Sequence, residues 1–285
     1  VKPAPFAYHA PASVEEAVAM LGALAAEDGR ILAGGQSLVP TMAFRLAKPA
    51  HLIDINGIAA LDRLAVENGS LSIGACVRHA AFHRPAVAGP LGALLTDVVR
   101  HIAHYPIRLR GTFCGSLAHA DPASEWCLVA ATLGAEMTAV GTRGTRVISA
   151  ADFFAGIMTT ALAEDELLAG ARLPLLGADT RFGFCEFSRR AGDYAIAMTL
   201  ATLRLDHGTI VEPRVGVGGA EAVPRRIPEA EAALAGQPPE AAVLRAAAEA
   251  AADAIDPLED IQADAVYRRD LVRAMTRRAL ERACA

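Results

Sequence analysis

Paired cysteines, basic clusters, long apolar runs and the common nucleotide motifs are all missing from this chain, and each absence removes a class of protein. Its five cysteines, Cys76, Cys114, Cys127, Cys185 and Cys284, are odd in number and include no C-x-x-C pair. A zinc ribbon, an iron–sulfur cluster and a disulfide framework are therefore poorly supported, and any metal redox centre in use would sit on another chain. Lys and Arg number 27 against 32 Asp and Glu, and the basic residues are scattered apart from pairs such as Arg225-Arg226 and Arg277-Arg278. That pattern argues against nucleic acid as a partner. No apolar run approaches the ~18–20 residues of a membrane span, and the start, "VKPAPFAYHAP", lacks the apolar block of a signal peptide, so a cytoplasmic protein without a membrane span is expected. Neither G-x-G-x-x-G nor a P-loop lysine motif occurs, which disfavours a Rossmann nicotinamide site and a Walker ATPase.

What remains is an ordinary globular composition, 53% apolar and 21% charged over 285 residues, enough for a large core and two domains. "SVEEAVAMLGALAAE" (13–27) predicts a helix with Ser13 and Glu16 as a capping box. Short strands are expected at "RILAGG" and "AHLIDI" (50–55). Asn68-Gly69 predicts a type I′ hairpin within 61–75, and a second hairpin turns near Gly144. Helices are expected over 86–104 and over 122–135, the latter opened by Pro122. Residues 151–175 end in a strand-like run, and a composition shift at Gly177-Ala178-Asp179 marks the expected boundary. Beyond it lie strands over 181–190 and 194–219, turning at Asp206-His207-Gly208, then helices over 227–235, 239–254 and 265–284.

Two stretches carry more small residues than a bare turn needs: "ILAGGQSLVPTM" (31–42) and "GTFCGSLAHADPASE" (111–125). A dinucleotide's pyrophosphate needs several backbone N–H donors converging at about 3 Å, with no Cβ on the approach face. Gly34-Gly35-Gln36-Ser37 suits such a nest, as does Gly115-Ser116 ahead of Leu117-Ala118, and Ser37, Thr112 and Ser116 add hydroxyls. On residues alone, two structural turns and one shared anion cradle both remain open.

The stretches "AGGQSLVPTMAFRLAKPAHLIDIN" (33–56) and "IRLRGTFCGSLAHADPASE" (107–125) resemble the two FAD-binding segments of the medium, flavoprotein subunit of molybdenum hydroxylases. This family includes bacterial carbon monoxide, nicotine and caffeine dehydrogenases, and the FAD domain of xanthine dehydrogenase is similar. "FFAGIMTTALAEDELL" (153–168), "RRAGDYAIA" (189–197) and "YRRDLVRAMTRRAL" (267–280) resemble further family stretches in the family's order, so the likeness spans nearly the whole chain. It implies an α+β fold. An FAD-binding domain of the vanillyl-alcohol-oxidase (PCMH) type would occupy 1–177, in subdomains of about 1–57 and 58–177. A C-terminal domain of a small sheet with helices would occupy 178–285.

The resemblance also implies residue roles. Ala33, Gly34, Gly35, Gln36 and Ser37 would hold the pyrophosphate through backbone amides, flanked by Leu32 and Leu38. Thr112, Cys114, Gly115 and Ser116, with Ala118 following, would form the second wall. Asp121 or Glu125, the latter the better family match, would lie near the adenosine ribose. Gly192-Asp193-Tyr194 resembles the family's Gly-Asp-aromatic segment, whose ring lies beside the isoalloxazine, and Leu168 is a further candidate for ring contact. In this chain Cys114 stands where a glycine is usual, so a negative φ is expected there. Leu109 stands where Asn is common. His119 is expected to be a polar loop residue rather than a catalytic base.

The function so implied is an electron relay. Substrate would be hydroxylated at a molybdenum cofactor on a large partner subunit, and electrons would cross [2Fe-2S] clusters on a small iron–sulfur subunit to FAD here. They would leave for an external acceptor, with the assembly a dimer of heterotrimers. The chain itself would bind no metal and hold no substrate-transforming residue. Competing readings are a stand-alone flavin reductase on the same fold and a non-catalytic scaffold subunit with a degenerate site.

Overall fold

Ser13 opens the first helix, α1 (Val14–Leu24), in a computed structural model that describes residues 2–285. Its hydroxyl accepts from the Glu16 amide at 3.1 Å, and the Glu16 carboxylate accepts from the Ala12 amide at 2.7 Å. The return bond of the capping pair thus falls one residue upstream of the cap. Ala17, Val18 and Leu21 face the core. The helix stops short of residue 27 because a 3₁₀ turn, Ala25–Glu27, leads to Asp28 with φ +58°.

Strands β1 (Ala7–His9), β2 (Gly29–Leu32) and β3 (His51–Asp54) make a parallel sheet in the order β1-β3-β2, with the short helix α2 (Leu38–Ala43) between the last two in sequence. Strands β4 (Leu64–Glu67) and β5 (Ser70–Gly74) follow as the expected hairpin, with Asn68 and Gly69 both at positive φ, as a type I′ turn requires. Four helices come next: α3 (Pro90–Val98), α4 (Tyr105–Arg108), α5 (Phe113–His119) and α6 (Glu125–Leu133). The helix expected over 86–104 is only α3, since Pro90 lacks an N–H and can only begin a helix, and Gly89 before it has φ +89°. The Arg108 guanidinium then gathers the carbonyls of Arg100, Ile102 and Ala103 beyond its end, at 3.2, 2.7 and 3.0 Å.

Strands β6 (Glu136–Gly141), β7 (Gly144–Ser149) and β10 (Glu166–Pro174) complete an antiparallel sheet ordered β4-β5-β10-β6-β7, and between β7 and β10 lie helix α7 (Ala150–Phe153) and a separate two-stranded sheet of β8 (Phe154–Gly156) and β9 (Thr159–Thr160). The rings of Phe82, Phe113 and Trp126 meet at centroid distances of 5.0 to 5.7 Å and are fully buried, so α5, α6 and the 3₁₀ turn His79–His83 are pinned together.

The remaining chain forms a second core. Strands β11 (Arg181–Phe187), β12 (Ala197–Asp206), β13 (Thr209–Gly218) and β14 (Arg225–Arg226) lie antiparallel in that order, with helices α8 (Pro228–Leu234), α9 (Ala241–Ala254) and α10 (Ala265–Cys284). Helix α6 lies directly on this sheet. A Cβ at Gly216 would stand 1.9 Å from the Thr132 hydroxyl oxygen, so only glycine lets β13 pass beneath it. Strand β12 starts at Ala197, later than expected, because Asp193–Ile196 is irregular connection. Among the described residues no helix is long and apolar enough to cross a membrane.

Candidate functional site

Between the end of β2 at Leu32 and the start of α2 at Leu38 the chain turns with its carbonyls used and its amides free. The Leu32 carbonyl accepts from the Ile55 amide, the Gly35 carbonyl from Val39 and the Ser37 carbonyl from Thr41, at 3.1, 3.0 and 3.2 Å. The Ala33 carbonyl takes the Asn56 side-chain amide at 2.7 Å, and that of Gly34 takes the Gln36 side chain at 3.1 Å. Pro40 has no N–H to offer the Gln36 carbonyl. By contrast, the amides of Gly34, Gly35, Gln36, Ser37 and Leu38 donate to no protein atom among the described residues. Five consecutive free donors concentrate positive potential at one bend, the arrangement an anion needs. Gly35 makes the bend possible, at φ +69°.

The second small-residue stretch touches the first. A Cβ on Gly34 would lie 2.4 Å from the Arg110 carbonyl oxygen and 2.6 Å from Gly111 Cα, so backbone packs on backbone. This stretch differs from its expected form, for it is a helix start rather than an open bend. Thr112 caps α5, its hydroxyl accepting from the Gly115 amide at 3.0 Å, and the Ser116 amide bonds to the Thr112 carbonyl at 3.1 Å. The amides of Gly115 and Ser116 are therefore spent inside the helix, which corrects the expectation of a second amide wall. Ser116 lines the groove.

A polar chain ties the two bends together. Arg78 donates through Nη1 to the Arg110 carbonyl and through Nη2 to Asn56 Oδ1 at 2.5 Å. Asn56 in turn holds the Ala33 carbonyl and Asp54, whose other oxygen accepts from the Tyr8 hydroxyl at 2.6 Å. Arg78→Leu would leave two loop groups without donors. We expect it to weaken binding of a dinucleotide at the groove roughly tenfold, read as bound nucleotide lost on gel filtration, with little change in fold.

Two adjoining cavities form one groove here, of about 380 and 180 Å³, sharing Gln36, Ser37, His79, Ser116 and His119. The larger holds Leu32, Ala33, Gly34, Gly35, Leu38, Thr112, Gly115 and Ala118. The smaller holds Asp121, Glu125, Asp193 and Tyr194, the tyrosine 60% exposed. Two candidates fall outside. Cys114 faces the core at 2% exposure with its Sγ toward the Ile73 carbonyl, and it lies in the first turn of α5 with the expected non-positive φ. Leu168 is buried within β10, beside the bulge that falls between Leu168 and Gly170. Leu109 is a half-exposed residue at the end of α4, and His119 lines the groove.

Asp121 and Glu125 lie at the same end as Tyr194. The chain leaves α5 at Ala120, which has φ +51°, turns through Asp121–Ser124, and starts α6 at Glu125 rather than Pro122. Both carboxylates therefore line the smaller cavity together with Tyr194. The reading from sequence missed His79, Gly111, Ile102, Ala103 and Ile107, which the fold alone brings to the groove. No motif marks them. Gly111 could have been suspected, since a Cβ there would collide with the His79 ring at 2.5 Å.

Burial raises the Glu125 carboxyl to about 8, helped by the Glu186 and Asp121 carboxylates and opposed in part by Arg108. Glu186 is itself nearly buried, with His101 Nδ1 3.6 Å from one of its oxygens. An unfolded Glu ionises near 4.5 while the native one holds its proton to about 8, so the folded state loses stability as pH rises between them. We expect the melting temperature of the flavin-free chain to fall from pH 5 to pH 8. Glu125→Gln should flatten that fall, and differential scanning calorimetry reads both. The cysteines are inert by the same physics: burial pushes Cys76 up to about 11 and Cys127 to about 12, and Cys114 further still. Alkylation with mass detection should leave these three unmodified until the chain is unfolded.

The parallel βαβ start, the antiparallel second sheet and the glycine-rich cradle where they meet define a dinucleotide-binding flavoprotein architecture. Comparison with known proteins makes the assignment specific. Residues 4–176 match the family described as "FAD binding domain in molybdopterin dehydrogenase", and residues 182–283 match "CO dehydrogenase flavoprotein C-terminal domain". The nicotine 6-hydroxylase medium subunit of Paenarthrobacter nicotinovorans is 40% identical over 274 residues, covering 96% of this chain and 95% of that protein. The carbon monoxide dehydrogenase medium chain of Hydrogenophaga pseudoflava is 34% identical, with 99% and 98% covered. A solved structure of carbon monoxide dehydrogenase from the same organism superposes with a TM-score of 0.95 at 36% identity, covering 100% of this chain and 99% of that one. Quinoline 2-oxidoreductase from Pseudomonas putida 86 gives 0.92, also at 36% identity, with 99% and 98% covered. The chain belongs to the FAD-binding flavoprotein subunits of multi-subunit molybdenum hydroxylases and dehydrogenases, and is an oxidoreductase subunit of that kind.

Proposed function

We propose that the groove holds one extended FAD, its pyrophosphate on the free amides of Gly34–Leu38. The observation that carries this reading is the imbalance at that bend: five unpaired donors, with all but one of the neighbouring carbonyls engaged. Ser37 and Ser116 add hydroxyls from opposite sides. The adenosine half runs toward Ile31, Leu32 and Ala33. The isoalloxazine lies in the smaller cavity beside Tyr194, with Asp121, Glu125 and Asp193 at its rim and Ile102, Ala103 and Ile107 giving apolar contact. Tyr194 limits water at the ring. Although the residue is largely exposed, desolvation where it meets the cavity and the nearby Asp121 and Glu125 carboxylates raise its pKa, which keeps its hydroxyl protonated.

Bound FAD would supply the redox chemistry, taking up electrons that a molybdenum cofactor on a large partner and [2Fe-2S] clusters on a small partner would deliver and releasing them to an external acceptor. This chain's own residues hold, orient and shield; none transforms substrate. The reading includes a division at about 177, with subdomains 1–57 and 58–177, and a cytoplasmic dimer of heterotrimers. The visible spectrum of the isolated chain tests it. We expect flavin bands at one FAD per chain with no iron–sulfur absorption. A colourless chain that takes up no added FAD would contradict it.

A further inference from the structure

His79 is the least expected residue in the groove. It is 5% exposed, it opens the 3₁₀ turn His79–His83, and it lines both cavities where they join. The Trp126 indole N–H donates to its Nδ1 at 3.0 Å inside the core. An indole nitrogen can only donate, so Nδ1 must be the unprotonated ring nitrogen. Burial first, then the Arg108 and Arg78 guanidiniums, push the imidazole down to about 3, so the ring is neutral across the working pH range. His119, on α5, is the other titratable group at this junction. With Nδ1 accepting and the ring neutral, the proton sits on Nε2. No protein group accepts from Nε2 among the described residues, and it is not among the side-chain atoms sealed away from solvent without a partner. Gly111 leaves that nitrogen uncovered, since any Cβ there would fall on it.

We propose that His79 is a cofactor-binding residue, its Nε2–H donating to an oxygen of the dinucleotide between the phosphate bridge and the flavin ring, and that Trp126 is the positioning residue that sets this tautomer. The inference rests on the flavin reading of the groove. It extends that reading to a side chain outside both small-residue stretches. A neutral donor fits the place. It adds a hydrogen bond without a charge, and its strength does not vary with pH while the indole holds the ring. The phosphate oxygens are already served by five amides, so the hydroxyl-bearing chain that links them to the flavin ring is the partner within reach of the junction.

The test uses the full chain, after the unaltered protein has been shown to take up FAD, with affinity read by quenching of flavin fluorescence. His79→Leu should weaken FAD binding roughly tenfold to a hundredfold, whereas His79→Gln, whose side-chain N–H reaches the same place, should change it little. Trp126→Phe keeps the ring contacts with Phe82 and Phe113 but removes the indole donor, and it should weaken binding about tenfold although it touches no cofactor. In chain labelled with ¹⁵N-histidine, the His79 signals are assigned by their loss in His79→Gln. They should show a protonated Nε2 and a bare Nδ1 from pH 5 to pH 8, with Nε2 shifting on addition of FAD. Undiminished FAD affinity in His79→Leu overturns the inference, as does a proton on Nδ1 or titration within that range. If His79→Leu does not fold, the tautomer and its response to FAD decide alone. An unaltered chain that takes up no FAD overturns the reading of the groove itself.

Discussion

Gly34→Val is expected to lower FAD affinity by at least ~100-fold, because it removes several charge-assisted hydrogen bonds at once. The reason lies in what a side chain would strike. Its Cβ would enter the space of the Arg110 carbonyl and Gly111 Cα, both backbone, which no rotamer change can clear. The two bends would separate, and the five amides would no longer face the wall that completes the groove. The second core is remote from this collision, so near-native helix content should persist. Gly57→Ala serves as the control, since a Cβ there meets nothing within 4 Å. FAD content after purification reads both. Retained flavin in Gly34→Val would show that the bends do not cooperate.

Arg268→Leu is expected to be the most destabilising single change in the C-terminal domain, by about 3 kcal/mol. Arg268 on α10 is 4% exposed. Its Nη1 bonds the carbonyls of Ile196 and Gly219 at 2.8 Å each, and its Nη2 pairs with Asp260 at 2.7 Å. Leucine would match much of the bulk but strand two buried carbonyls, each of which then bears its desolvation cost unpaid by a donor. Thermal unfolding should shift down by roughly 6–12 °C. Because Ile196 follows Tyr194 by two residues and Gly219 packs on Ala195, flavin fluorescence should also rise as water reaches the ring. A shift under about 2 °C would mean that these contacts add little.

How much of this was legible in the sequence follows from range. The Ser13 cap, the Asn68-Gly69 turn and the Asp206-His207-Gly208 turn depend on neighbours two or three residues away, and all three form as read. The cradle at Gly34–Ser37 was legible for the same reason: a residue without Cβ advertises a close approach. Helix α5 was not, because Gly115 and Ser116 looked like loop residues, and only the Thr112 cap and the burial of Phe113 and Leu117 hold them helical. The family resemblance supplied the chain's class and named Tyr194, Asp121 and Glu125, which line the smaller cavity together. The turn after Ala120 brings both carboxylates into the cavity that Tyr194 also lines. His79 had no local signature at all. Its meaning comes from a tryptophan 47 residues away.

Amide hydrogen exchange across residues 33–38, with and without FAD, tests the central claim most directly. The free donors of Gly34 to Leu38 should exchange fast in the flavin-free chain and slow by at least about tenfold when FAD is bound, as unpaired amides gain acceptors. FAD that binds at one per chain while those five amides keep exchanging at their former rate would contradict the account.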